Sequence, residues 1–375
     1  MIKEKTIAKH KFPKYVVFRV DVSPVIGVGH VMRCLTLANS IRKFKPDYKI
    51  HFLFKSLTVS MRKLLELKNI DYSVLQDLGP DLSAIESVPL KHSSWLGSSQ
   101  NDDANAVIKF ITGKCVDWLV VDHYGIDCRW ESLVKPLVKN VLVLDDLADR
   151  KHNCDVLLDQ NYYSNSEMRY VDKVSSNSCM LLGPNYALLR EEFIASRCLC
   201  SPRKTVNRIL IMFGGVDFDC YTIDALEAVS RTALKNVDVV IGNDHPQKAA
   251  VTSFANKNLF KIHIQTEKIH DLMAQADLAI GAAGASSWER CAVGLPTICL
   301  SVADNQNEIL KELSNKRVVL AINEKNRKKL PEKIYEAVNL LSRDTSLLYN
   351  LSINALKLVD ANGAQRVLSA MMSKV

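Results

Sequence analysis

No apolar run in this sequence approaches the ~18 residues that a membrane-crossing helix needs, so no such helix is expected. None of its 10 cysteines sits in a Cys-x-x-Cys pair. The nearest approach is Cys198-x-Cys200, while Cys34, Cys291 and Cys299 lie inside apolar or helical runs, where a free thiol behaves as a small hydrophobe. That usage argues against a disulfide framework or a structural zinc and for a reducing compartment. A Gly-x-Ser-x-Gly nucleophile elbow and a Walker phosphate loop are both missing, which removes two common routes to hydrolytic chemistry. There is also no basic stripe interleaved with aromatics. The formal charge of +8 (49 Lys+Arg against 41 Asp+Glu) is dispersed, with Lys-rich pieces at Met1–Lys14 and Glu324–Lys333. Such an excess suits an anionic small ligand or a negative membrane surface, and not a nucleic acid. The N-terminus is basic, but its apolar run Tyr15–Phe18 is too short for a signal peptide. A cytoplasmic, soluble protein without stable membrane insertion is expected, its oligomeric state unspecified.

What is present is alternation. With 375 residues, 47% hydrophobic and 24% charged, the chain can hold two ordinary domains. Tyr15–Asp21 reads as a strand and His30–Lys43 as a helix, with Val31, Leu35, Ala38 and Ile41 at helical spacing on its apolar face. Strands at Ile50–Lys55, Trp118–Asp122, Val141–Leu144 and Val156–Leu158 follow, with helices between. Ser83–Asp103 reads as a polar loop before a helix over Ala104–Ile111. A charged stretch, Arg190–Asn207, marks a boundary, after which strands recur at Arg208–Phe213, Val237–Ile241, Phe260–Ile264, Leu278–Ile280, Thr297–Leu300 and Val318–Ile322. The expected fold class is α/β, with two Rossmann-like, doubly wound domains facing a cleft: residues 1–195 and 196–375, the terminal helix crossing back. Ligands of such sheets sit at the carboxyl ends of the strands.

Two stretches reach those ends with the right chemistry. In the second half, a small-residue turn, Gly281–Ala285, joins the strand at Leu278–Ile280 to a helix starting at Ser286 or Ser287. Gly294-Leu295-Pro296 stops that helix. Strand, small turn and helix N-terminus make an anion site, because unpaired N–H groups and the helix dipole converge there. Glu289 either accepts from ribose hydroxyls or closes a Ser286-x-x-Glu289 capping box. In the first half, Gly27-Val28-Gly29-His30 follows the first strand. His30 either caps the helix or, with the dipole disfavouring imidazolium, takes a proton from water. Asp122-His123-Tyr124 and Asp145-Asp146 also end strands, but no His or Cys falls at ligand spacing near Asp145, and no metal is expected.

Several longer blocks occur in one order: Phe18–Ala38, Trp95–Ala104, Val121–Glu131, Leu144–Asn161, Leu181–Phe193, Phe213–Asp217 and Gly281–Gln306. Together they resemble the UDP-2,4-diacetamido-2,4,6-trideoxy-β-L-altropyranose hydrolase family of pseudaminic acid biosynthesis. Its fold is the two-domain glycosyltransferase B type, similar in layout to the lipid II-forming N-acetylglucosaminyltransferase. The resemblance implies that His30 deprotonates a water and that Tyr124 and Asn305 share its active site. It also implies that Gly27, Gly29, Arg33, Asp122 and His123 line the sugar side. Gly284, Ser286 and Ser287 would hold the diphosphate with Gly214 and Gly215, Glu289 the ribose, and Gln306 would lie beside them, with uracil near Thr266–Leu272. The implied reaction is attack of water at the anomeric carbon with inversion and release of UDP, using neither cofactor nor metal. The family's usual Gly-Ala-Gly-Gly-Ser-Thr turn is here Gly281-Ala282-Ala283-Gly284-Ala285-Ser286, and Val20 and Val22 replace smaller residues near His30. Two other readings fit the same fold. One is a UDP-sugar glycosyltransferase, for which the basic tail (Lys3, Lys5, Lys9, Lys11, Lys14) would face a membrane acceptor. The other is a sugar-nucleotide-binding protein without catalysis.

Overall fold

A computed structural model describes residues 13–76, 90–215 and 217–374, so the basic tail up to Lys11 and the first third of the Ser83–Asp103 stretch, residues 83–89, lie outside the described residues. Two parallel sheets organise the chain. The first contains β1 (Lys14–Val20), β2 (Tyr48–Phe54), β3 (Asp71–Val74), β4 (Cys115–Asp122), β5 (Asn140–Leu144), β6 (Val156–Asp159) and β7 (Cys179–Leu182), ordered β3-β2-β1-β4-β5-β6-β7. The second contains β8 (Arg208–Met212), β9 (Asn236–Ile241), β10 (Lys261–Ile264), β11 (Leu278–Ala282), β12 (Thr297–Leu300) and β13 (Leu320–Ile322), ordered β10-β9-β8-β11-β12-β13. In both, the order reverses beside the first strand, between β1 and β4 and between β8 and β11. Those two points are where such sheets open a crevice.

The strands are apolar almost throughout because helices cover both faces. Alternate residues of β1 feed different cores. Val16, Phe18 and Val20 pack with the helix Gly29–Phe44, whereas Val17 joins the core beneath the helix Gln100–Ile111. Strand β8 repeats the arrangement, with Ile209 and Ile211 on one face and Leu210 and Met212 on the other.

The helix expected from Ala104 starts at Gln100, because Ser99 caps it: its hydroxyl accepts from the Asp102 N–H at 3.1 Å. Strand β7 was not anticipated; four residues, mostly half-buried, carry no readable alternation. Arg190–Asn207 is no free linker. It includes the helix Glu192–Cys198, and Arg203 is buried, donating to carbonyls of Ala274, Ala276 and Val293. The last helix, Gly363–Met372, leaves the second sheet and inserts Val367, Leu368 and Met371 into the core around β1. No helix among the described residues is long and apolar enough to cross a membrane.

Candidate functional site

The first crevice is built by the loops after β1 and β4. Gly27 has φ +78, a conformation that side chains resist, and an added Cβ at Gly27 or Gly29 would meet nothing within 4 Å. The loop is thus bare on its open side. His30 follows in the first helical turn and Arg33 three residues on, so both reach the end of β4. Asp122 accepts at 2.6 Å from His30 Nδ1, and at 2.6 and 2.7 Å from Arg33 Nε and Nη2. Arg33 Nη1 spans to Asp146 after β5 (2.7 and 3.0 Å), and Tyr124 donates its phenol to the same carboxylate at 2.5 Å. Asn161 Nδ2 donates to it as well, at 2.8 Å. Tyr124 stands edge-on to His30, ring centres 4.7 Å apart, and stacks on Trp95 at 5.5 Å.

A carboxylate only accepts, so the His30–Asp122 contact puts a hydrogen on Nδ1, and in the neutral ring the lone pair is then on Nε2. Burial alone would push the Asp122 carboxyl up, but the Arg33 charge and then His30 hold its pKa well below the usual carboxylate range. Burial followed by the Asp146 charge pushes the Tyr124 phenol well above its ordinary value, so it is a donor and not a base. The result is an oriented imidazole on a buried carboxylate held in its ionised form, an arrangement able to take a proton from a bound water.

Three residues expected on the substrate side turn inward instead. Asp122 has both oxygens occupied by protein donors and a fully buried side chain. Arg33 divides its guanidinium between two carboxylates. His123 points behind the sheet, its Nε2 3.3 Å from Asp21 in a buried group with Arg19 and Asp103. A strand's residues alternate faces, and Asp122 and His123, consecutive in sequence, fall to opposite sides.

The second crevice lies between the loops after β8 and β11. Gly214 has φ +100, and a Cβ at Gly215 would come 3.9 Å from Val28 Cγ2, so the glycine loops of the two crevices face each other. The helix here is Ser286–Ala292, with Ala285 at its N-cap and no side-chain cap. The Ser286–Glu289 capping box is therefore not formed. Glu289 is instead 3.8 Å from Arg190, a residue of the stretch between the sheets. Burial pushes its pKa above the usual glutamate value, against the pull of Arg190 and Arg290. Ser286 is half-buried at the turn, but Ser287, expected to face phosphate, is buried with its hydroxyl on Ala282 O at 3.4 Å. Gln306 accepts from the Val302 N–H at 3.1 Å, and its Nε2 is 3.5 Å from where a Gly284 Cβ would be. Asn305 is exposed on the second sheet's side, with no recorded contact to His30 or Tyr124.

Sequence reading passed over Asp146 and Arg290. Asp146 was seen as a strand-end acid, but its partners are 113, 22 and 15 residues away in sequence. Arg290 could have been found, since it stands one helical turn from Ser286 and Ser287. Among the described residues, no group of three or more His, Cys, Asp or Glu side chains is arranged to hold a metal ion.

The fold is the glycosyltransferase B type: the chain superimposes on a crystal structure of Acinetobacter baumannii MurG with TM-score 0.63 over 96% of this chain and 100% of that one, at 16% identity. Residues 208–367 match the glycosyltransferase family 28 C-terminal domain. The UDP-2,4-diacetamido-2,4,6-trideoxy-β-L-altropyranose hydrolase of Campylobacter jejuni is 25% identical over 71% of this chain and 83% of its own length. The chain is a distant relative of that hydrolase. An uncharacterized protein of Methanocaldococcus jannaschii is 25% identical over 78% of this chain. The spore coat polysaccharide biosynthesis protein SpsG of Bacillus subtilis is 27% identical over 57%. The matches span only 56% and 64% of those two proteins' lengths.

Proposed function

We propose that this chain acts on a UDP-sugar and hydrolyses UDP-2,4-diacetamido-2,4,6-trideoxy-β-L-altropyranose to the free sugar and UDP. The observation that carries the reading is the buried Asp122–His30 pair, 2.6 Å apart where the loops after β1 and β4 meet. In the proposed reaction His30 Nε2 accepts a proton from water as the water oxygen bonds to the anomeric carbon. The bond from that carbon to the UDP oxygen breaks, and the configuration inverts. Asp122 holds the tautomer and stabilises the imidazolium that forms. Tyr124, fixed by Asp146, walls the side of His30. Residues 1–195 would carry this chemistry. Residues 196–375 would bind UDP, with the diphosphate at Gly284 and Ser286, the ribose at Glu289, uracil near Thr266–Leu272, and Asn305 closing the cleft from its side.

A transferase of the same fold is the second reading. Val25 and Val28, 68% and 40% exposed in the loop beside His30, form an apolar edge that an acceptor could use. The test is UDP release from the altrose derivative in chelator without any acceptor. Release with free sugar, lost in His30→Ala, supports the hydrolase. Tight binding without turnover would favour the transferase or a binding protein without catalysis, and no binding would sink the UDP-sugar reading.

A further inference from the structure

Arg290 is among the largest fully buried side chains, 2% exposed, and among the described residues it makes no salt bridge, although Glu289 lies close enough to feel its charge. The other deeply buried arginines are neutralised or saturated. Arg19 pairs with Asp21 and Asp103, and Arg33 with Asp122 and Asp146. Arg203 lacks a carboxylate but donates to several carbonyls. Arg290 has one carbonyl, Ala282 O at 2.6 Å, two hydroxyls, Ser286 Oγ and Ser287 Oγ, each at 3.0 Å, and the Cys299 thiol beside it. Its Nε has no acceptor. A buried guanidinium whose hydrogen bonds go to neutral groups, with the Glu289 carboxylate acting on it only through space, is better neutralised when an anion comes to it.

Its position says where that anion would be. The guanidinium fills the inner side of the turn that joins β11 to the helix Ser286–Ala292. Nη1 lies 3.2 Å from where a Cβ on Gly281 would sit, a position also only 2.4 Å from Met212 O, so the turn closes over the arginine only with glycine there. Because Arg290 donates to Ser286 Oγ, that hydroxyl's own hydrogen is free to point outward, and no acceptor for it is recorded. Ser287 turns its hydrogen inward to Ala282 O. One polarised O–H is thus aimed at the open side, backed by a full positive charge one hydroxyl away.

We infer that Arg290 is a positioning residue that serves as the built-in counter-charge for the diphosphate of a nucleoside diphosphate sugar, acting through Ser286. This rests on the UDP-sugar reading above and deepens it. Arg290 does not touch the ligand. It orients the donor that does and lowers the cost of bringing two phosphates to a helix end that carries no lysine or arginine on its outer face.

The test uses the full chain in chelator, with UDP and uridine as probes, titrated by calorimetry and ligand-observed NMR respectively. Arg290→Gln should weaken UDP on the order of 10- to 100-fold, the range for a charge-assisted contact, with uridine unchanged within about twofold. Ser286→Ala should weaken UDP alone in the same way, and adding it to Arg290→Gln should cost little more, because the two act as one unit. A merely structural arginine would reduce UDP and uridine affinity in equal proportion. That outcome, or undiminished UDP binding in Arg290→Gln, overturns the inference. Should Arg290→Gln prove unfolded by circular dichroism, Ser286→Ala decides: full UDP affinity there overturns the relay, and selective loss supports it. A wild-type protein that binds no UDP at all would overturn the functional reading first, and is distinguishable because no variant is needed to see it.

Discussion

His30 has one ring nitrogen committed and one free, and the commitment is to a carboxylate that cannot donate. The proposed chemistry depends on that distinction. His30→Ala should lower turnover by ~10²-fold or more, with UDP affinity kept within about twofold, since the nucleotide would bind on the other sheet. Parallel loss of UDP affinity would count against that division of labour. Asp122→Asn is the sharper test. The amide can present its NH2 to Nδ1 and turn the hydrogen to Nε2, so turnover should fall by roughly 10²–10⁴-fold although size and hydrogen bonding are conserved. Unchanged kinetics in Asp122→Asn would mean that His30 is not oriented by this pair. At this scale the sequence was partly legible. Gly27, Gly29 and His30 are contiguous, and their place after β1 follows from the strand pattern. That Asp122, His123 and Arg33 would turn inward could not be read, because it depends on which side of β4 each falls and on Asp146 arriving from a third strand.

Among the elements, the ends of β4, β5 and β6 share a buried ionic group that makes stability depend on pH. Glu131, from the helix Cys128–Val134, accepts from His152 Nδ1 at 2.7 Å, and the His152 ring also faces Asp145 at 3.7 Å. Burial opposes charging of His152, but Glu131 and Asp145 outweigh it and push the residue up to about 9. A histidine raised above its unfolded value of about 6.5 stabilises fully below that pH and ceases to do so as pH climbs through 9, a swing of up to about 3 kcal/mol. Asp159, pushed up to about 7 first by burial and then by Asp146, adds the same sign at lower pH. The urea midpoint should therefore fall between pH 6.5 and 9.5, and the fall should flatten in His152→Gln. A flat wild-type profile over that window would remove the argument. The helix Ser286–Ala292 yields a separate expectation. With no capping box, Glu289→Gln should leave the melting temperature within about 1 °C, since Glu289 caps nothing and its charged neighbour Arg190 is 3.8 Å away, while UDP binds more weakly. A clear drop in melting temperature would restore the cap. The Ser-x-x-Glu spacing is identical in the two cases, and only the start of the helix, one residue earlier than a box requires, distinguishes them.

For the whole molecule, alternation in the sequence was enough to foresee two parallel sheets, because helices on both faces leave long apolar strands with little else to form. The way the sheets are joined was less visible. Arg203 anchors the connecting stretch to the second sheet, and the helix Gly363–Met372 returns to the first, held close by Gly363, where a Cβ would come 2.2 Å from Ala187 O. Nothing in an amphipathic helix names the core it will enter. Met371 is fully buried in the core that contains Val16, Phe18 and Leu35, more than 330 residues earlier in the chain. Met371→Ala should thus destabilise the first sheet, not the second, by roughly 2–5 kcal/mol, as for other large-to-small core changes. Native-state hydrogen exchange would locate the effect: faster exchange is expected across β1 and the helix Gly29–Phe44, with β8 and β11 protected as before. Loss of protection confined to β8–β13 would instead make the last helix part of the second sheet's core. If the expected pattern holds, the same helix ties the crevice carrying His30 to the half of the chain that carries Ser286 and Arg290. Opening of one against the other would then be limited to what that returning helix and the Arg190–Asn207 connection allow.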